Sequence, residues 1–198
     1  MSRQIRTRLI AALAVVGSLV AFSTIAMAGD VTGTVTHRRG TENLVVYVTQ
    51  VAGHFSPTPH AVMDQRRMRF SPFVLPVVVG TTVTFQNNDS VVHNVFSPDN
   101  EAYNLGTWPA GESRSHRFTR AGVYTQACSL HPEMEAYILV LQNPYFAVTA
   151  ADGSFTIPNL PDGHYQVQVW GKRLTSSDKR RHFPLTVTNG TATANITF

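Results

Sequence analysis

Apolar residues occur along most of the chain in short runs that alternate with polar residues. Downstream of residue 28, β-branched and aromatic residues recur in these runs, and Gly, Pro, Asn and Asp interrupt them. No apolar pattern with a period of 3.6 residues is sustained over the length of a helix. The pattern therefore predicts an all-β fold. Strands are expected at residues 32–36, 44–48, 75–79, 81–86, 94–97, 113–118, 122–127, 137–141, 154–157, 165–170, 183–187 and 191–197.

The first 28 residues have a different pattern. A charged stretch, MSRQIRTR, precedes a long apolar run that ends at Ala26-Met27-Ala28. This order predicts a signal peptide over residues 1–28, and hence a chain that is exported to the periplasm. The alternative is an uncleaved segment that anchors the chain in the membrane. After cleavage we expect no membrane association, because no other segment could span a bilayer.

The residues after Asn143-Pro144 have a rhythm of turn and strand that differs from the preceding stretch. The segment from Asp152 to Tyr165 reads D-G-x-F-x-I-x-x-L-P-x-G-x-Y and resembles the carboxypeptidase regulatory-like family of small transthyretin-type β-sandwiches. The first strands of that family resemble residues 33–35 and 40–48. We therefore predict one discontinuous sandwich over residues 29–52 and 145–198, with a second domain over residues 53–144 inserted in it. The alternative is a tandem arrangement of the two domains.

The net charge excludes one class of partner. The chain has a formal charge of +4, but Arg3, Arg6 and Arg8 lie in the predicted signal peptide, which contains no acidic residue. Removing them leaves 13 Lys and Arg against 12 Asp and Glu, a difference of +1. A nearly neutral chain without a broad basic stripe is not expected to bind nucleic acid.

The chain contains a single cysteine, Cys128. One cysteine cannot form an internal disulfide, so in an oxidising compartment this thiol must be buried, paired between chains or bound to a ligand. His131 and Met134 follow it in a C-x2-H-x2-M sequence, and His93 lies upstream. A soft thiolate, two imidazoles and a weak thioether are the ligands that suit copper in electron transfer. The predicted metal ligands are therefore His93, Cys128, His131 and Met134.

The inserted segment resembles the cupredoxins, and its short ligand loop is similar to that of amicyanin. The family pattern G-x-x-V-x-F-x-N-x-D followed by H-N begins at Gly80 and ends at Asn94. The later elements G-E, F, G-x-Y, C-S, H and M follow in order between Gly111 and Met134. The resemblance implies a Greek-key β-sandwich that holds one type 1 copper ion. It also implies that His93, Cys128 and His131 form a trigonal plane and that Met134 is the axial ligand.

The resemblance also implies a supporting contact around these ligands. In cupredoxins the Asn after the first histidine ties its strand to the residue after the cysteine. Asn94 and Ser129 occupy these positions.

Several other interpretations of these residues stay open. Glu133 or Glu135 could replace Met134 as the axial ligand. Two other metal sites are disfavoured: zinc accepts Cys and His but gains nothing from Met, and a binuclear copper site on such a loop needs a second cysteine, whereas this chain has one. His54 and His60 could form a second, weaker copper site.

The expected function is single-electron transfer between periplasmic redox protein partners, without enzymatic activity. A thiolate bound to copper is not available as a nucleophile, and the remaining histidines show no ligand spacing for a catalytic second metal. The alternative is a periplasmic copper carrier or storage protein that is not an electron shuttle.

Overall fold

The computed structural model describes residues 28–198, which form sixteen strands and one short helix. The predicted signal peptide lies outside the described residues, apart from Ala28. None of the helices in the described part of the chain is long and apolar enough to cross a membrane. The elements are β1 (Ala28–Thr36), β2 (Val45–Val48), β3 (Val62–Gln65), β4 (Phe70–Ser71), β5 (Val74–Val78), β6 (Thr82–Asn87), β7 (His93–Ser97), β8 (Tyr103–Trp108), β9 (Ser113–Arg117), β10 (Gly122–Ala127), β11 (Glu135–Leu141), β12 (Phe146–Val148), β13 (Ser154–Pro161), β14 (Gly163–Trp170), α1 (Ser176–Lys179), β15 (Phe183–Val187) and β16 (Thr191–Thr197).

The strands form four sheets in two pairs. Strands β3 to β11 form the central sheets, one in the order β5-β11-β10-β7-β8 and one in the order β4-β3-β6-β9. The strands on either side of them in sequence form the flanking sheets, in the orders β13-β1-β16 and β12-β2-β14-β15. The predicted all-β fold is confirmed, since each predicted strand overlaps an observed one.

Alternating side chains give each pair of sheets its own core. In β6, for example, Val83 and Phe85 are fully buried and Thr84 between them is half-buried, as expected for a strand with one face on a core. The central sheets enclose Phe85, Trp108, Phe118 and Tyr124 with smaller apolar side chains. The flanking sheets enclose a separate cluster that includes Val31 and Ile157. A third, smaller cluster lies between the two pairs of sheets and is described below.

Gly33 explains how β1 fits between its two neighbours. It is paired with Phe155 of β13 on one side and Ala194 of β16 on the other. A Cβ atom at this position would lie 2.0 Å from the backbone oxygen of Ala194. Only glycine permits this close approach of two backbones.

Four strands and the helix were not predicted from the sequence. β3, β4 and β12 are short, and β8 is interrupted by Gly106 and pairs with β7 through an irregular register. None of the four contains a run of alternating apolar residues long enough to be recognised. Helix α1 has no buried residue, and a capping box between Thr175 and Asp178 stabilises its first turn. A search for apolar periodicity therefore cannot find it.

Candidate metal centre

His93 is the first residue of β7, which lies between β10 and β8 in the five-stranded central sheet. Its side chain is fully buried, and its partner in the neighbouring strand is Trp108. Trp108 belongs to the core between the central sheets. The sheet therefore fixes the position of this imidazole independently of the loop that contains the other predicted ligands.

The other three predicted ligands lie in the loop between β10 and β11. Ala127 at the end of β10 is paired with Glu135 at the start of β11, so this hairpin closes residues 128–134 into one loop. Within the loop, the backbone amide of Met134 donates to the carbonyl oxygen of His131 at 3.0 Å. The antiparallel strands thus hold Cys128, His131 and Met134 at one end of the sheet.

His93, Cys128 and His131 converge on one point. Their possible ligand atoms all lie within 4.8 Å of one another. The Nδ1 atoms of the two histidines are 3.0 Å apart, and Nδ1 of His131 is 3.6 Å from Sγ of Cys128. Within the described residues 28–198, this is the one such group of three His, Cys, Asp or Glu side chains. The structure therefore brings together three of the four predicted ligands.

Asp89 orients the imidazole of His93. Its carboxylate accepts hydrogen bonds from the backbone amide of Met68 at 2.7 Å and from Nε2 of His93 at 3.0 Å. These contacts, with that of the Ser90 amide, lower the pKa of Asp89 to about 2. An ionised carboxylate only accepts hydrogen bonds, so the proton of a neutral His93 is on Nε2. The lone pair of Nδ1 then faces Cys128 and His131, as metal binding requires.

Asn94 connects β7 to the start of the ligand loop. Its backbone amide donates to Sγ of Cys128 at 3.3 Å, and its side-chain oxygen accepts from the amide of Ser129 at 3.1 Å. Its side-chain nitrogen donates to Oδ1 of Asn104 at 2.8 Å and to the carbonyl of Gly106 at 2.7 Å. The predicted contact between Asn94 and Ser129 is present, and it is made by the backbone amide of Ser129.

The surroundings of Met134 favour the thioether over either neighbouring carboxylate as the fourth ligand. Met134 is 1% exposed and belongs to the same buried cluster as Cys128. The carboxylate of Glu135 accepts from Nζ of Lys172 and from the hydroxyl of Tyr137, and Glu133 is exposed. Both carboxylates therefore have surroundings other than the buried core that holds Met134. Met134 stays our prediction for the axial ligand.

The donor set fits copper. A buried thiolate beside two imidazole nitrogens, with a thioether on the same loop, provides soft and borderline ligands that accept both Cu(I) and Cu(II). The amide of Asn94 donates to the sulfur and so fixes its position. The described side chains thus form a candidate mononuclear copper site in an all-β sandwich.

Comparisons with known proteins agree with this class of site. Residues 57–142 match a family model described as copper binding proteins, plastocyanin/azurin family. A purple cupredoxin from Nitrosopumilus maritimus is 32% identical, over 40% of this chain and 98% of that chain, with a TM-score of 0.38. A reduced mutant form of amicyanin is 30% identical, over 43% of this chain and 91% of that chain, with a TM-score of 0.39.

The chain was also compared with a larger copper protein and with curated proteins. The copper-containing nitrite reductase from Thermus scotoductus is 29% identical, over 48% of this chain but only 25% of that chain, with a TM-score of 0.40. A comparison with curated proteins finds no match. Residues 57–142 therefore resemble the plastocyanin/azurin family of copper-binding proteins. This match and the convergence of His93, Cys128 and His131 confirm the prediction of copper.

Three residues that make contacts near the site were not identified from the sequence. Asp89 is the final D of the pattern G-x-x-V-x-F-x-N-x-D, and its position four residues before His93 was a usable signal. Met68 contacts Asp89, and Lys172 contacts Glu135; in both pairs the two residues are far apart in the sequence. No local pattern marks either of them.

Proposed function

We propose that this chain is an exported type 1 copper protein that carries single electrons between periplasmic redox partners. His93, Cys128 and His131 are the equatorial ligands in this proposal, and Met134 is the axial ligand. The observation that supports it best is the unequal exposure of the ligands. His93 and Cys128 are 0% and 3% exposed, whereas His131 is partly exposed. Electrons then enter and leave through the edge of His131.

Three exposed apolar side chains that neighbour the histidine ligands in sequence, here called the apolar surface, suit a transient protein contact. Val91 and Val92 directly precede His93, and Leu130 directly precedes His131. They are 41%, 45% and 48% exposed, and they are three of the five large apolar side chains that are exposed in the described part of the chain. Clustered exposed apolar side chains indicate an interaction surface. A partner that covers them comes within short range of the imidazole.

The hydrogen bonds around the ligands suit a metal site whose geometry must stay the same in both oxidation states. Copper bound by such a set supplies one-electron redox chemistry. Asp89 holds His93 and Asn94 holds both Cys128 and Ser129, so the ligands keep their positions without the metal's help. A frame of this kind reduces the movement needed between the two oxidation states. The proposal assigns no catalytic residue.

The function can be tested with Val91→Glu, which places a carboxylate in the apolar surface. We expect the Cu(I)/Cu(II) electron self-exchange rate, measured by NMR line broadening, to fall about tenfold or more, because two like charges meet in the encounter complex. The reduction potential should change little. Val148→Glu is the matched control, since Val148 is 38% exposed on the flanking sheets and gives the same change in net charge.

Two results would count against electron transfer at this surface. Equal self-exchange rates in the wild type and the Val91→Glu variant would show that electrons do not pass through it. Rapid loss of Cu(I) to a chelator during redox cycling would instead favour a copper carrier.

We also propose that residues 29–52 and 145–198 form one discontinuous carboxypeptidase regulatory-like sandwich around the inserted copper domain. Support comes from the pairing of β1 with β13 and β16, and of β2 with β12 and β14. After limited proteolysis at the two junctions, near residues 52 and 144, the flanking fragments should remain associated. Separation of the fragments on a sizing column under native conditions would contradict this arrangement.

A further inference from the structure

Strand β11 has two buried faces, and each face belongs to a different part of the molecule. Side chains on one face pack into the core between the central sheets, together with Met134 and Cys128; these are Ala136, Ile138 and Val140. Side chains on the other face join the third cluster, between the central and flanking sheets; these are Tyr137, Leu139 and Leu141. Because side chains alternate along a strand, a displacement of one face of β11 also displaces the other.

The third cluster attaches β11 to the flanking sheets. Val45 of β2 and Trp170 of β14 are buried against Tyr137 and Leu139. The rings of Tyr137 and Trp170 have centroids 5.0 Å apart, and Phe73 contacts Tyr137 edge-on at 5.6 Å. Aromatic side chains bury large apolar areas and have defined packing geometries. This contact therefore holds the two pairs of sheets in a fixed relation along β11.

Lys172 extends the attachment to the end of the ligand loop. It follows β14 by two residues, and its Nζ donates to Oε2 of Glu135, the residue directly after Met134. The same ammonium lies 5.8 Å from the centroid of the Tyr137 ring, and the hydroxyl of Tyr137 donates to Oε1 of Glu135. Both oxygens of Glu135 are thus engaged on the side of the strand that faces the flanking sheets.

Strand pairing connects Glu135 to the start of the ligand loop. Its partner across the hairpin, Ala127, directly precedes Cys128.

Met134 is consequently held from both sides. On its N-terminal side, its amide donates to the carbonyl of His131. On its C-terminal side, Glu135 is fixed by the strand pairing with Ala127 and by Lys172. Without the contact between Lys172 and Glu135, the chain after Met134 would be held only by the backbone pairing of Glu135 with Ala127.

We propose that Lys172, from the flanking sheets, is a positioning residue for the copper loop: by holding Glu135 it fixes the backbone of Met134 and so the place of the thioether. The flanking sheets are then part of the support of the metal centre. This inference rests on the proposed role of Met134 as the axial ligand. It concerns the positions of this chain's own residues and can be measured without the metal.

The test is Lys172→Met, which keeps an unbranched apolar stem and removes the ammonium. In the metal-free protein, we expect the backbone amides of residues 133–136 to exchange with solvent about fivefold faster, the size of effect that the loss of a partly exposed ion pair and a cation–π contact permits. In the copper-loaded protein, the reduction potential and the rhombicity of the electron spin resonance spectrum should change. Lys172→Arg should restore wild-type values.

Lys179→Met is the matched control. Lys179 also belongs to the flanking sheets' side of the molecule and lies 5.3 Å from the Trp170 ring. Its replacement makes the same change in residue type and net charge. Since Lys179 forms no ion pair with the copper loop, this variant should leave amide exchange in residues 133–136 and the rhombicity of the copper spectrum unchanged.

The possible results separate this inference from the proposed function. Wild-type exchange rates in Lys172→Met would overturn the positioning role, and so would equal changes of potential in both lysine variants, which would show a charge effect only. If the wild-type protein lacked a thiolate copper spectrum, the proposed function would fail. Faster exchange in metal-free Lys172→Met would still support the effect on the loop.

Discussion

A Cys128→Ser variant is expected to lose the intense blue absorption of the copper protein completely. That absorption requires a thiolate bound to Cu(II), and Cys128 is the single cysteine of the chain. Serine keeps nearly the same shape but offers a hydroxyl, which is a poor ligand for Cu(I) and does not ionise at neutral pH. Optical titration with Cu(II) would measure the loss, together with a much weaker affinity for copper.

The fold should survive this substitution, which makes the result interpretable. The serine hydroxyl can still accept the hydrogen bond that the Asn94 amide makes to Sγ. Burying a hydroxyl with one partner in place of the thiol is expected to lower the free energy of unfolding by about 1 kcal/mol. Thermal unfolding of the metal-free proteins would check this. A variant that folds and keeps the blue band would show that Cys128 is not the ligand.

Asn94→Ala is expected to destabilise the fold strongly while leaving the ligands in place. Asn94 is 1% exposed, and its side chain makes three hydrogen bonds, to Asn104, Gly106 and Ser129. At about 1 kcal/mol each, their loss should lower the free energy of unfolding of the metal-free protein by about 3 kcal/mol. The released Ser129 amide should also let the start of the copper loop shift, so the copper spectrum should change.

Asn143→Ala provides the matched control for this prediction. Asn143 is 3% exposed and makes two side-chain hydrogen bonds, to Val48 and Tyr145, away from the metal centre. Its loss should lower the free energy of unfolding by about 2 kcal/mol without changing the copper spectrum. If denaturant unfolding shows losses for both variants but neither spectrum changes, Asn94 supports the fold and not the site.

The ligands could be predicted from the sequence because their chemistry is local. Cys128, His131 and Met134 share one loop, and the structure shows why the short spacing is sufficient: a hairpin closes that loop at Ala127 and Glu135. His93 could be added because a histidine and an asparagine follow a strand and a turn. Most strands were predicted for a similar reason, since a half-buried strand shows its alternation within a few residues.

The support of the site could not be predicted because it is not local. The contact between Lys172 and Glu135 joins residues 37 positions apart, and nothing in either neighbourhood indicates the other. The packing of the two faces of β11 could not be predicted from the sequence either. A strand that is buried on both sides is a continuous apolar run, which shows that it is a strand but not what covers each face.

The central claim is that a thiolate copper site forms from these residues, and the most direct measurement is spectroscopic. The mature chain would be prepared without metal and given one equivalent of Cu(II), and its optical and electron spin resonance spectra would be recorded. We expect an intense blue band and a narrow copper hyperfine splitting. A colourless protein with the wide splitting of ordinary tetragonal Cu(II) would contradict it, because the ligands would then not assemble around the metal as proposed.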